Sequence, residues 1–171
     1  MSAARDISAA VAAVVAAVRD ACADPADQVR ALLALAALPG TGPVAQRARR
    51  CAVIALARAV RAYQPGSYDE ALGVLEQVTD ALDREVTAAG DLRQDASFQA
   101  LRRLRVAVVR DMLARGASLA PLVAVEYPEP MPALVMAQRL YGDATRADEL
   151  VRRLDPVHPA FMPTRAVVLA R

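Results

Sequence analysis

Apolar residues recur every three or four positions through the first two thirds of the chain, and every second position in short stretches near its end. The first pattern predicts helices and the second predicts strands. Ile7, Val11, Val14, Val15 and Val18 mark one buried stripe on a helix over residues 6–21. Asp24-Pro25 opens a second helix, because Asp is a good N-cap and Pro is favoured at the first helical position. That helix runs through Val29, Leu32, Leu33 and Leu35 and stops at Pro39-Gly40. A third helix covers about 44–63, and its second half, Cys51 to Val60, is nearly all apolar, which predicts burial on several sides. A fourth begins at Ser67-Tyr68-Asp69-Glu70, which reads as a capping box. Its inner face is Leu72, Leu75, Val78 (or Thr79), Leu82 and Val86, and Gly90 is its natural stop. A fifth runs from Asp95 or Ser97 to Arg115, with Phe98, Leu101, Leu104, Val108 and Met112 facing inward and Gly116 ending it.

The pattern changes at residue 117. A strand is predicted at Leu122–Tyr127, between Pro121 and Pro128. Two short helices follow, over about 132–141 and 145–154, and then a closing strand at Ala166–Ala170. Between the helices, Gly142 supplies a left-handed stop, and Asp143 or Thr145 caps the next turn. Asp148 and Glu149 suit the positive N-terminal end of the second helix. The expected fold is therefore mainly α: an Ala-rich bundle of about five helices over 1–117, then a small α+β module of strand-helix-helix-strand order over 118–171.

Composition supports a helical body. Of 171 residues, 56% are hydrophobic but only 4% aromatic, and alanine supplies much of the difference. The length is that of one domain, or of one domain with a small appendage, and suffices to bury a sizeable core. The net charge is +2, and all 21 basic residues are Arg. Such near-balance argues against a dedicated nucleic-acid binder. Cys22 and Cys51 lie in separate helical segments, spaced neither as a disulfide framework nor as a zinc site. No signal peptide is evident, and no run of apolar residues is long enough for a membrane span.

Little catalytic chemistry is legible. His158 is the only histidine and reads as a structural hydrogen-bonder. No nucleophile elbow, phosphate-cradling loop or metal-ligand spacing occurs, so no catalytic residue, metal or cofactor is assigned. Glu126 and Glu129 flank a Pro-rich turn and read as solvated. Two arginine clusters stand out: Arg47, Arg49, Arg50, Arg58 and Arg61 on the third helix, and Arg102, Arg103, Arg105 and Arg110 on the fifth. Arg47, Arg50, Arg58 and Arg61 fall roughly on one face and form a candidate basic interface. Pairing with Asp80, Asp83, Glu85, Asp91 or Asp95 is the first reading, a protein interface the second and DNA the third.

The tail carries a family resemblance. Leu104-Arg-Val-Ala-Val-Val-Arg110, Pro132-Ala-Leu-Val135, Arg139-Leu140-Tyr141-Gly142-Asp143, Arg146-Ala-Asp-Glu149-Leu150-Val151 and His158-Pro159-Ala-Phe161 resemble the C-terminal half of the DNA circularisation protein of Mu-like phages, a tail or baseplate component. The same tail is similar to a LysM module. Both usually place an Asn after the second helix, where this chain reads Arg153-Leu154-Asp155-Pro156. The resemblance implies a non-enzymatic structural protein at the baseplate or tail-tip hub, made in the bacterial host cytoplasm and carried in the virion tail. Its implied partners are tube, hub or wedge subunits and further copies of itself in a ring. Arg139, Leu140, Tyr141, Gly142, Asp143, Arg146, Glu149, Leu150, His158, Pro159 and Phe161 become candidate docking or motif residues. The alternatives are a peptidoglycan-binding module and, third, a DNA-binding or circularisation factor.

Overall fold

The computed structural model describes residues 2–170, apart from the side chains of residues 2–8 and of Arg19. It is mainly helical with one small two-stranded antiparallel sheet. Its contacts divide it into two compact units, Met1–Gly66 with Glu70–Ala117, and Ser67–Asp69 with Ser118–Arg171.

The helical unit begins with α1 (Ser2–Ala21) and α2 (Pro25–Ala36), both packed on α3 (Pro43–Ala62). Asp24 caps α2 by accepting a hydrogen bond from the Ala26 N–H at 2.9 Å, with Pro25 at the first position. On α1, Val15 is buried, but Val14 is 57% exposed, so the stripe is narrower than predicted, and Ile7 lies outside the described side chains. The apolar half of α3 buries Ala52, Val53, Leu56, Ala59 and Val60, while Ile54 on its other side stays exposed.

α4 (Tyr68–Asp91) corrects two expectations. Its inner face is Ala71, Val78, Ala81, Leu82, Glu85 and Ala89, whereas Leu72 is exposed and Leu75 and Val86 are half-buried. The predicted stripe follows the larger side chains, whereas the buried face includes Ala71, Ala81 and Ala89. Gly90 does not end the helix in a left-handed conformation. That role falls to Arg93, at φ 53°. Its N–H donates to the Gly90 carbonyl and the Gln94 N–H to the Ala89 carbonyl, both at 2.9 Å, the bond pair of a Schellman stop. Within the helical unit the Glu70 carboxylate reaches back to the Gly66 N–H, at 2.8 Å, and also accepts from the Tyr63 hydroxyl. α5 (Asp95–Gly116) buries Leu101, Val108 and Met112 and packs on α3.

The second unit contains β1 (Leu122–Glu126), α6 (Ala133–Tyr141), a 3-10 turn at Ala144–Arg146, α7 (Ala147–Leu154) and β2 (Arg165–Leu169). The second short helix thus starts as a tight turn rather than as α-helix. β1 and β2 pair antiparallel, with Val123 opposite Val168 and Ala124 opposite Val167. The ladder extends one step at each end, through Tyr127 N–H to Thr164 O and Ala170 N–H to Pro121 O. Alternation sends Ala166 and Val168 into the core and Arg165 and Val167 outward. The core is Met131, Met136, Tyr141, Leu150, Met162 and their small neighbours Ala133, Ala137 and Ala147. Residues 67–69 belong to this unit: the Tyr68 N–H donates to the Ala120 carbonyl, and Asp69 accepts from the Leu122 N–H at 2.6 Å.

Candidate functional site

The residues singled out in the second unit meet at the corner between α6 and α7. Gly142 takes φ 70° and closes α6 through its N–H to the Gln138 carbonyl at 3.0 Å. A side chain is strained in that region, and Gly is not. Asp143 then returns to extended backbone and caps the next turn, accepting from the Thr145 N–H at 2.9 Å and the Thr145 hydroxyl at 2.6 Å. Those two bonds hold its carboxyl below the ordinary carboxylate range.

Arg146 is the centre of the corner. Its guanidinium lies 3.7 Å from the centroid of the Tyr141 ring and is bidentate to Glu149, at 2.9 and 3.0 Å. This combines a cation–π contact with a fork-to-carboxylate pair. Tyr141 is buried, and burial pushes its phenol above the usual value, with the Glu149 carboxylate adding to the effect and Arg146 and Arg153 opposing it. The hydroxyl is buried without a well-formed hydrogen bond. Leu150 is fully buried and Leu140 packs on the same core. Tyr141, Gly142, Asp143, Arg146, Glu149 and Leu150 are therefore brought together as a brace, in which Tyr141 and Leu150 are buried, Arg146 and Glu149 half-buried, and Gly142 and Asp143 exposed. Arg139 stands apart, exposed in the last turn of α6.

His158, Pro159 and Phe161 form a separate feature. The Phe161 N–H donates to the His158 carbonyl at 2.9 Å, and His158 Nδ1 accepts from the Ala160 N–H at 3.1 Å. The Pro159 carbonyl accepts from the Ala133 N–H at 2.8 Å, which pins this turn to the start of α6. The Met162 N–H to Met131 carbonyl bond fixes its far side. Despite these ties, Phe161 is 70% exposed and Val157 fully so. The His158 and Phe161 rings lie 6.1 Å apart. Leu134, in the first turn of α6, is 61% exposed. Leu134 and Val157 were not among the predicted site residues. The legible signal was phase: Ala133, Met136, Ala137 and Tyr141 face inward, so an apolar Leu134 is out of step with its own helix.

The basic cluster of α3 does not stay together. Arg49 Nε reaches Glu85 at 3.2 Å, and its Nη1 donates to the Leu38 and Gly40 carbonyls. Arg50 turns onto the same carboxylate at 3.4 Å and donates to Gln94. Arg50 is thus removed from the face it was expected to share with Arg47, Arg58 and Arg61, which remain exposed. On α5, Arg105 is bidentate to Asp83, at 2.6 and 2.9 Å. Glu126 pairs with Arg165 across the sheet at 2.9 Å, with both side chains well exposed.

Among the described residues no His, Cys, Asp or Glu cluster is placed to hold a metal, and no helix is long and apolar enough to cross a membrane. No protein-family model and no curated protein matches the chain.

Proposed function

We propose that the chain is a structural component of a phage or phage-like tail, acting at the baseplate or tail-tip hub, and that its second unit is a LysM-like module that docks a neighbouring ring protein. The observation that carries the docking part is the exposed apolar end of that unit. The Pro159–Ala133 hydrogen bond holds Val157 and Phe161 beside the first turn of α6, where Leu134 also faces solvent. Large apolar side chains exposed on a turn and a helix that are hydrogen-bonded to each other suit an interaction surface. Covering these three would contribute up to about 4.5–9 kcal/mol, at about 1.5–3 kcal/mol per side chain. The glycan-binding alternative draws on Phe161, since Tyr141 is covered by Arg146 and Tyr127 is packed on the core.

The test is cryo-EM of particles from cells that carry the gene. Density for this chain in a ring at the tail tip, with Leu134 and Phe161 in the contact, is the expected result. Intact tails that lack the chain sink the proposal. Retention on peptidoglycan sacculi, lost in Phe161→Ser, would move the assignment to wall binding.

A further inference from the structure

The helical unit segregates its charge by element. α3 carries Arg47, Arg49, Arg50, Arg58 and Arg61 and no acidic residue. α4 carries seven carboxylates against the single Arg84. Part of this charge is neutralised internally, on Glu85 and Asp83. Arg58 and Arg61 hold no hydrogen bond or ion pair among the described residues, and neither do the carboxylates of Glu76 and Asp80.

Arg58 and Arg61 edge a groove of about 440 Å3 between α3 and α5. Val60 and Val108 are its buried floor, and Ala57 and Ala107 keep it open because neither reaches across. The one carboxylate in the lining, Asp111, is bonded to Arg115 at 2.6 Å and leaves the two arginines uncompensated. The result is an apolar trough with a positive rim. A complementary surface exists on the same chain. On α4, Leu72, Glu76, Asp80 and Asp83 follow at spacings of four, four and three, which is one helix face. Leu72 is exposed at one end of it, an apolar side chain followed by the two unpaired carboxylates of Glu76 and Asp80.

We propose that α4 of one copy docks in the α3–α5 groove of a second copy, with Leu72 over the trough and Glu76 and Asp80 paired with Arg58 and Arg61. The two faces are different surfaces, so the contact is head-to-tail. Each added copy leaves one groove and one α4 face free, and the series ends only by closing into a ring. This inference does not rest on the tail reading, and a failed self-contact would leave docking through the second unit untouched.

Sedimentation velocity of the full chain tests it. At about 0.01 M salt, where the Debye length is about 30 Å, the protein is expected to run as a species larger than the 18.1 kDa monomer. At about 1 M salt, with screening within about 3 Å, it is expected to fall back toward monomer. Arg58→Glu/Arg61→Glu and Glu76→Arg/Asp80→Arg should each be monomeric alone, and mixing the two variants should restore association. If circular dichroism shows either charge variant unfolded, Ala57→Leu decides, by filling the trough and weakening association at least about tenfold. A wild-type monomer at every salt, association indifferent to the charge pairs, or no recovery on mixing would each overturn the proposal.

Discussion

Glu85 is the one buried acidic residue among those described, and its replacement is the sharpest test of what holds the helical unit together. Its side chain is 3% exposed and lies between Arg49 and Arg50, at 19% and 20%. The Arg49 contact is a hydrogen-bonded ion pair at 3.2 Å. The Arg50 contact, at 3.4 Å, lies outside hydrogen-bond geometry and leaves Arg50 Nε and Nη2 and Glu85 Oε2 buried without one. Removing one partner of a buried pair costs about 3–5 kcal/mol, because the other charge is stranded. Here two positive charges are stranded, yet each arginine keeps a fifth of its side chain in water and rehydrates in part. We therefore expect Glu85→Ala to destabilise by about 3 kcal/mol, a large fraction of the roughly 5–15 kcal/mol typical of a domain. Urea unfolding followed by circular dichroism at constant m-value measures it. The same reasoning predicts that the triple change Arg49→Met, Arg50→Met, Glu85→Leu recovers most of the loss, since the desolvation cost disappears together with the charges. A Glu85→Ala loss below about 1 kcal/mol, or a triple variant as damaged as the single, would refute the argument.

The remaining predictions concern backbone, stacking and pH. Arg93→Gly should stabilise the chain by about 1 kcal/mol, by removing a side chain from the left-handed stop of α4, read as a rise in the urea midpoint. Asp155→Gly should act likewise at the end of α7, where φ is 42° and the N–H bonds the Val151 carbonyl. Arg146→Ala should cost about 1–2 kcal/mol through loss of the ring stack and the Glu149 pair, and Arg146→Lys should not restore it, because an ammonium cannot form the fork. Tyr63 is held well above its ordinary value of 10.0, first by burial and then by its bond to Glu70. The folded state therefore keeps this proton above pH 10 while the unfolded state releases it, so stability falls as pH rises past about 10. Tyr63→Phe should flatten that alkaline slope, as measured by unfolding midpoints across the range.

The elements were legible where local chemistry and periodicity agreed. Asp24-Pro25 marks the start of α2 because cap and proline act through the adjacent backbone alone. Gly142 and Asp143 mark their turn for the same reason. The face of α4 was not legible, since a chain so rich in alanine offers two candidate stripes. Large residues define one, at Leu72, Leu75, Val78, Leu82 and Val86; the other shares Val78 and Leu82 with it and adds Ala71, Ala81, Glu85 and Ala89. Which of them is buried is decided by tertiary context rather than by the helix itself. The misplaced helix stop has a similar origin. Gly90 is compatible with ending the helix, but hydrogen bonding continues to Asp91 and forces Arg93 into the left-handed turn.

The charged residues show how far a candidate site can be read from residue types. Arg146 and Glu149 are three apart on adjoining turns, so their pairing follows from helical spacing, but the Tyr141 ring beneath them depends on the angle of the Gly142 corner. Their types suggest a binding surface; their geometry makes them a brace, and large apolar side chains are exposed elsewhere in the unit, at Leu134, Val157 and Phe161. Arg49, Arg50, Arg58 and Arg61 divide in the same way. One pair reaches Glu85 across 36 residues of sequence in the Arg49 bond, a separation at which no local pattern fixes a partner. The other pair has no carboxylate within reach on its own helix, because α3 contains none. With no acid on their own helix, and the groove's one carboxylate, Asp111, bonded to Arg115, Arg58 and Arg61 have water or another molecule as their partner. Neutralising Arg58 and Arg61 separately should therefore leave the fold within about 0.5 kcal/mol of wild type, as for ordinary surface positions, while changing what the helical unit binds.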